Sequence, residues 1–515
     1  MRCVAGAGLL ALVGCNQVFG ITPTKEYDAA PDVVADMPYA KLTWQVATVT
    51  TAGDPNPMIV DAPIVPAPRI RHAALLDDHF TNTMYSPTDG SVVVPLEYFA
   101  PATTWRLEYT LPDGVPHEVQ WSPGDRQGHL TVPIFGQLQH SAVPMGSGYI
   151  TAPGGATSYQ QPRMFTTGLW TEGLIRNYST ADGAKIDYDF SNAVAMSGSN
   201  GSPDAGQGDR ALLIDFMTSG SCRIAVGSAA FVPPMLMPNQ HIMMMSSNWD
   251  AGTKKVSSDF ISVDLDLFDR LTTALDKLHG AVTGTLSFGV AASTSMPGLP
   301  GVPPSSLLPT VTLLPTPVML TLLQCSFTVA TIPNMLPDTA QPASLDRFSR
   351  LLHIQLVDTR QVLGISLYSG METAIASTTS TGFKVVFPAA IPTKMTLTTP
   401  ANETIDLAGP TEQVPVKVTN GMFTLAFTPE PGLDPADYYD VTLHRLDNGT
   451  LTTDRVYTVT APQVQIDGAL LAPQTVYVLE IRSFKGHPSA QQGDFRPVTY
   501  PYGSAIVFTR TFKTS

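Results

Sequence analysis

Three clusters in this sequence carry side chains able to ligate a metal ion. His72, Asp77, Asp78 and His79 offer two imidazoles and two carboxylates, a donor set that suits zinc or another divalent ion. Their neighbours are turn-like and no third histidine lies nearby, so a solvated loop is the competing reading. Met235, Met237, His241, Met243, Met244 and Met245 bring soft thioethers and one imidazole together, a set that suits Cu(I). Ile242 followed by Met243 also continues an apolar strand, and methionine commonly fills irregular cores. Asp182, Asp187 and Asp189, with Asp204 and Asp209 beyond, suggest calcium. Lys185 stands among these acids and the spacing is not that of an EF-hand, which favours exposed turn acids over a calcium site. Copper and calcium are therefore the two cofactors to test. No nucleophile elbow, zinc-protease helix, phosphate loop or paired-cysteine motif occurs, so the sequence names no catalytic residue.

Charge narrows the partners. The chain has 29 basic and 43 acidic residues, a net charge of −14, and no basic stripe, which excludes a nucleic-acid partner. Only 14% of its 515 residues are charged, whereas 45 prolines and 40 glycines punctuate it. That is the habit of tandem β-sandwiches with long loops and few short helices. At roughly 100 to 200 residues per domain, the length holds about three or four domains.

The amino terminus has the anatomy of a signal peptide: Arg2, an apolar run from Val4 to Val13, then Cys15. The run is about half of the roughly 20 residues that span a bilayer. Leu12-Val13-Gly14-Cys15 resembles the lipobox of bacterial lipoproteins, and Cys15-Asn16-Gln17-Val18-Phe19-Gly20 resembles the opening of large lipoproteins from myxobacteria and their relatives. The resemblance implies lipidation of Cys15, a membrane partner held through that lipid, and residence at the outer membrane or cell surface, because Asn16 replaces the aspartate that enteric family rules reserve for inner-membrane retention. With Cys3 lost in the signal and Cys15 lipidated, Cys222 and Cys325 remain as a candidate disulfide, with two buried thiols as the alternative.

Residues 15–41, rich in proline and acid, read as a solvated tether after a signal at 1–14. In 42–136, Trp105, Leu107 and Tyr109 alternate with polar residues, Pro112-Asp113-Gly114 turns the chain, and Val119 and Trp121 resume the alternation; this hairpin looks immunoglobulin-like. A β-rich central region, 137–405, holds one helix at about 266–279, where Phe268, Leu271, Leu275 and Leu278 recur at helical spacing between an acidic start and Gly280. A proline-rich loop at 297–317 follows, and then a strand in which Leu352, Ile354 and Leu356 alternate with His353 and Gln355.

Phe423 to Pro429 and Tyr439 to Leu443 alternate as strands, and Leu471-Ala472-Pro473-Gln474-Thr475-Val476-Tyr477 leads into a third. Residues 410–515 resemble a fibronectin type III domain. The resemblance implies that Leu471 and Pro473 turn the chain between sheets, that Tyr477 forms a tyrosine corner, and that Phe427 fills the family's tryptophan position. The whole then reads as a surface-anchored lipoprotein of β-sandwich domains, a binding, adhesion or structural module for a protein or polysaccharide ligand. Two rivals stand beside it: a secreted hydrolase or carbohydrate-active enzyme with its site in 137–400, and a copper- or calcium-binding envelope protein.

Overall fold

Alternating apolar and polar residues dictate strands along most of the chain, and strands are what they form. The computed structural model describes residues 40–48, 58–64, 66–75, 79–93, 104–110, 114–121, 134–137, 147–151, 161–166, 171–178, 185–195, 211–231, 240–243, 249–250, 256–262, 265–279, 285–295, 320–328, 335–339, 349–376, 390–409, 414–418, 421–431, 435–447, 449–493, 495, 499 and 501–514. The protein is all-β, with a single α-helix among these residues, Leu265–His279. On that helix Leu271, Ala274, Leu275 and Leu278 are buried, whereas Asp266, Asp269, Arg270, Asp276 and Lys277 are exposed. Its apolar stripe faces the core and it packs on the strand Pro392–Thr398. No helix among the described residues is long and apolar enough to cross a membrane.

The carboxy-terminal region is a β-sandwich. One sheet runs Thr404–Asp406, Pro392–Thr398, Met422–Pro429, Gln463–Asp467, antiparallel throughout. The facing sheet carries Thr450–Val459, Tyr438–Asp447, Val476–Lys485 and Tyr502–Phe508 in that order. Met395, Leu397, Leu425 and Phe427 from the first meet Tyr439, Val441, Leu479 and Ile481 from the second in one core cluster. Phe427 meets Tyr439 edge to face at 4.8 Å, so it serves as the aromatic anchor. The sandwich begins earlier than the expected boundary at 410. Pro392–Thr398 and Thr404–Asp406 precede it, and their flanking prolines and short length hide them from a periodicity argument.

The same larger sheet continues at both ends of the chain. The hairpin expected around Gly114 is there: Trp105–Thr110 pairs with Pro116–Trp121, with Leu107 opposite Val119. Gly114 adopts φ +84°, a conformation that favours glycine. Instead of staying within an immunoglobulin-like unit of its own, the hairpin pairs in parallel with Thr450–Val459 through Pro116–Trp121. Its other strand pairs with Arg69–Ala74, which pairs in turn with Thr81–Thr83. Alternation specifies a hairpin but not the sheet edge that it joins, and a parallel partner far along the chain leaves no turn signal.

The central strands enter from the other side. Ser349–Val362 and Ile365–Ala376 form a hairpin closed by Leu363 and Gly364, both at positive φ, and Ile365–Ala376 pairs with Tyr502–Phe508. Leu352, Ile354 and Leu356 are buried as their spacing requires, but His353 between them is buried too, 3.5 Å from Glu372. Cys222–Phe231 pairs with Leu320–Thr328 so that Cys222 stands opposite Cys325, and their sulfurs are joined at 2.03 Å. The first strand among the described residues, Ala40–Lys41, lies inside the stretch read as tether. The signal, Cys15 and the proline-rich loop at 297–317 lie outside the described residues.

Candidate functional site

The two faces of the amino-terminal sheet differ sharply. Ile70, His72, Leu107, Tyr109, His117 and Val119 share one face and are all buried. Arg69, Arg71, Arg106, Glu108, Glu118 and Gln120 share the other, and the parallel pairing adds Arg455 and Tyr457 to it. A polar face is ordinarily solvated, yet Arg106 and Glu118 are completely buried and Glu108 and Arg455 nearly so. Charges taken out of water must be paired, and these are.

Arg106 donates from Nε and Nη2 to Glu118 Oε1 and Oε2 at 2.6 and 3.0 Å, a bidentate fork. Arg455 donates from Nη1 to Glu108 Oε2 at 2.5 Å and to Glu118 Oε2 at 3.2 Å. Arg71 donates from Nε to Glu108 Oε1 at 2.8 Å and also reaches it from Nη2. The Phe80 ring lies under two of these guanidiniums, at 4.8 Å from Arg71 and 4.6 Å from Arg106. Burial alone would raise the Glu108 pKa, but Arg455 and Arg71 beside it hold the carboxyl below the usual carboxylate range. Tyr457 sits next to the cluster with its hydroxyl buried and unpartnered, and burial raises its pKa. Gln120 extends the network sideways. Its Nε2 donates to the Gln465 carbonyl at 2.6 Å and its Oε1 accepts from the Gln465 amide at 2.9 Å, as a neighbouring strand would.

Above this cluster opens a cleft of about 740 Å³, walled by Arg69, Arg71, Asn82, Tyr85, Glu108 and Arg455 among others. The volume falls in the range of small-molecule sites. Tyr85 is fixed as a wall, because its hydroxyl accepts from the Ile64 amide at 2.5 Å and donates to the Leu42 carbonyl at 3.2 Å. Most of the wall belongs to the strands Arg69–Ala74, Thr81–Thr83, Trp105–Thr110, Pro116–Trp121 and Thr450–Val459, while Ala67, Pro68 and Tyr85 lie outside them.

A second charged cluster lies on the carboxy-terminal sheet. Arg482 donates to Glu480 at 2.8 Å, His444 Nε2 lies 3.1 Å from the same carboxylate, and the Thr458 hydroxyl donates to Asp440 at 2.6 Å. Burial would raise the Glu480 pKa, but Arg482 and His444 bring it down to about 2. Asp440 is different: burial raises its pKa to about 7, helped by Glu480 and only partly opposed by Thr458 and Arg482. Its folded pKa exceeds the unfolded value of about 4, so the native state holds the proton more tightly. Its contribution to stability is therefore full below pH 4 and is lost as pH rises through 7. Asp440→Asn keeps the acceptor for Thr458. It should be nearly neutral at pH 4 and stabilise the chain at pH 8 by about 2 kcal/mol, a figure discounted for the lost attraction to Arg482. Thermal melts of both proteins at the two pH values measure this, and equal shifts at both would reject it.

The residues singled out by the sequence fall elsewhere. His72 is buried in Arg69–Ala74, His79 is exposed, and Asp77 and Asp78 lie outside the described residues. His241 and Met243 stand on the strand Gln240–Met243, parallel to Ser147–Thr151; Met235, Met237, Met244 and Met245 lie outside the described residues. Asp187 and Asp189 are on the strand Lys185–Ala195 and not in a turn, while Asp182, Asp204 and Asp209 lie outside the description. Among the described residues, no group of three or more His, Cys, Asp or Glu is placed to hold a metal ion. At the carboxy-terminal turn Leu471 is buried, Pro473 is exposed, and the Tyr477 hydroxyl accepts from the Ala472 amide at 2.9 Å. The Arg–Glu cluster is what the sequence reading missed. Its signal was present in Arg106 and Glu108 facing Glu118 and Gln120 across one hairpin, a face too rich in complementary long charged side chains for a merely solvated one.

No known family model matches the chain, and no curated protein matches it. Among solved structures, the chicken CNTN1 FN1-FN3 domains align over 92% of this chain and 100% of their own at 8% identity and a TM-score of 0.14. Native E. coli alpha-2-macroglobulin aligns over 89% of this chain and 27% of its own at 11% identity and a TM-score of 0.11. Superpositions this loose carry no argument, and the sandwich rests on the strands described above.

Proposed function

We propose that this chain is a surface-anchored lipoprotein, held by lipid on Cys15, whose β-sandwich scaffold presents the Arg69–Arg455 cleft to a polysaccharide. One observation carries the binding part of this reading: guanidiniums fixed by buried carboxylates line a cleft built mostly from strands. Preorganisation of that kind lowers the cost of binding. The anchoring part rests on the lipobox-like residues before Cys15.

The hydrolase reading draws on a specific feature, because Glu108 and Glu118 both accept from one nitrogen of Arg455 and so lie as close as a glycosidase pair. Their surroundings argue against that use. Glu108 is held below the carboxylate range and does not carry a proton at neutral pH, and Glu118 is wholly buried in the fork of Arg106. A glycosidase needs one of the two as a proton donor.

Anchoring is tested by Cys15→Ser. Membrane fractionation should move the variant to the soluble fraction with loss of palmitate labelling, whereas the parent sediments. A variant that still sediments and labels would overturn the lipoprotein reading. Binding is tested by retention of soluble oligosaccharides on the full chain, and a protein that retains none would overturn the module reading.

A further inference from the structure

We infer that the cleft selects an anionic sugar polymer, one bearing a carboxylate on its rings, such as a uronate oligosaccharide. This rests on the binding reading above and names its ligand. The cleft is lined by three guanidiniums, Arg69, Arg71 and Arg455, against one carboxylate, Glu108, while the buried Arg106 and Glu118 pair with each other. The balance is positive in a chain whose total charge is −14.

The two carboxylates do not repel an incoming anion, because guanidiniums already occupy Glu108 on both oxygens and Glu118 is sealed beneath. Donors remain on the arginines that line the cleft. Arg71 has given Nε and Nη2 to Glu108, which leaves Nη1, and Arg455 has given Nη1, which leaves Nη2. Arg69 is exposed, lines the cleft and has no ion pair among the described residues. Guanidinium forks match the planar, two-oxygen geometry of a carboxylate. The rest of the wall suits the remainder of a sugar: Asn82 and Thr110 offer neutral polar groups for ring hydroxyls, and Tyr85, its hydroxyl engaged elsewhere, offers a ring face.

The field of the whole protein argues for sparse charge on the ligand. A densely charged phosphate polymer meets −14 over the surface, whereas one carboxylate per sugar reaches the cleft where repulsion is screened beyond about 8 Å.

The test is calorimetric titration of the full-length chain in detergent with trigalacturonic acid, with the neutral galactose trimer, and with inorganic phosphate. Trigalacturonic acid should bind, more weakly as salt rises, while the neutral trimer binds at least about tenfold more weakly, the scale of one charge-assisted hydrogen bond. Arg69→Gln should weaken trigalacturonic acid about tenfold and leave the melting temperature unchanged, since the side chain is exposed. Equal affinity for the neutral trimer, displacement by phosphate at equal concentration, or an Arg69→Gln protein that binds like the parent would each overturn the inference. Binding of the neutral trimer alone overturns the uronate assignment and leaves the binding-module reading standing. No binding by any of the three overturns the uronate assignment, and the wider oligosaccharide panel then decides the reading beneath it.

Discussion

Glu118→Ala should destabilise the protein by about 3–5 kcal/mol, because it removes the carboxylate that Arg106 holds through two nitrogens at a fully buried position. The side chain of Arg106 is 0% exposed, and the nearby Glu108 is already shared by Arg71 and Arg455. Two further contacts go with Glu118. Arg455 loses one of its two acceptors, and Gln120 loses the Glu118 oxygen 2.9 Å from its Nε2 while it bridges to Gln465. Removing both charges tells the pair's energy apart from the cost of breaking it. Arg106→Met combined with Glu118→Leu should cost well under half of the single change, since attraction and desolvation nearly cancel in a buried pair. Denaturant midpoints at unchanged m-value are the measurement. A single variant within about 0.5 kcal/mol of the parent would mean that water reaches Arg106.

That cluster also marks what a sequence can and cannot disclose. The elements were legible where one face is apolar and the other polar: Trp105, Leu107 and Tyr109, the helix face at Leu271, Leu275 and Leu278, and the strand at Phe423, Leu425 and Phe427 each announce a buried side. Their partners were not legible. Nothing local says that Val456, Tyr457 and Thr458 lie beside His117, Glu118 and Val119, because that pairing is parallel and spans most of the chain. The site followed the partner and not the pattern. Arg106 and Glu118 read as a solvated face so long as the hairpin stands alone, and become interior once Thr450–Val459 brings Arg455 and Tyr457 against them. His353 escaped for the same reason: alternation puts it outside, and the hairpin with Ile365–Ala376 covers it with Glu372. The cysteines differ, since elimination could name Cys222 and Cys325 as a pair, whereas only the register of two distant strands sets them opposite each other.

Tyr477→Ala should cost about 3–5 kcal/mol, the scale of a large aromatic truncation in a core. The ring is 1% exposed and stacks on Phe512 with centroids 6.0 Å apart, so deletion opens a void between Val476–Lys485 and Phe512–Thr514. The hydroxyl contributes less than the ring. It accepts from the Ala472 amide at 2.9 Å, and the Ala472 carbonyl accepts from the Thr514 hydroxyl at 3.0 Å, so this turn is tied to the corner and to the last strand. Ala472 itself is exposed, and water can replace the lost acceptor, which places Tyr477→Phe near the low end of the range for a broken hydrogen bond, about 1 kcal/mol. The ratio of the two losses therefore separates packing from hydrogen bonding at the corner. The measurement belongs on the full chain, because a fragment cut at 410 would lack Pro392–Thr398 and Thr404–Asp406, and with them Met395 and Leu397 opposite Phe427 and Leu425. Leu471→Ala offers a second probe: Leu471 is buried in the same core and its peptide bond carries the Ala472 amide that donates to Tyr477, so it should lower the midpoint and change the Tyr477→Phe increment in a double-mutant cycle. If Tyr477→Ala melts with the parent, the corner is not what joins the two sheets, and the stability of the sandwich must come from the Phe427 and Tyr439 layer alone.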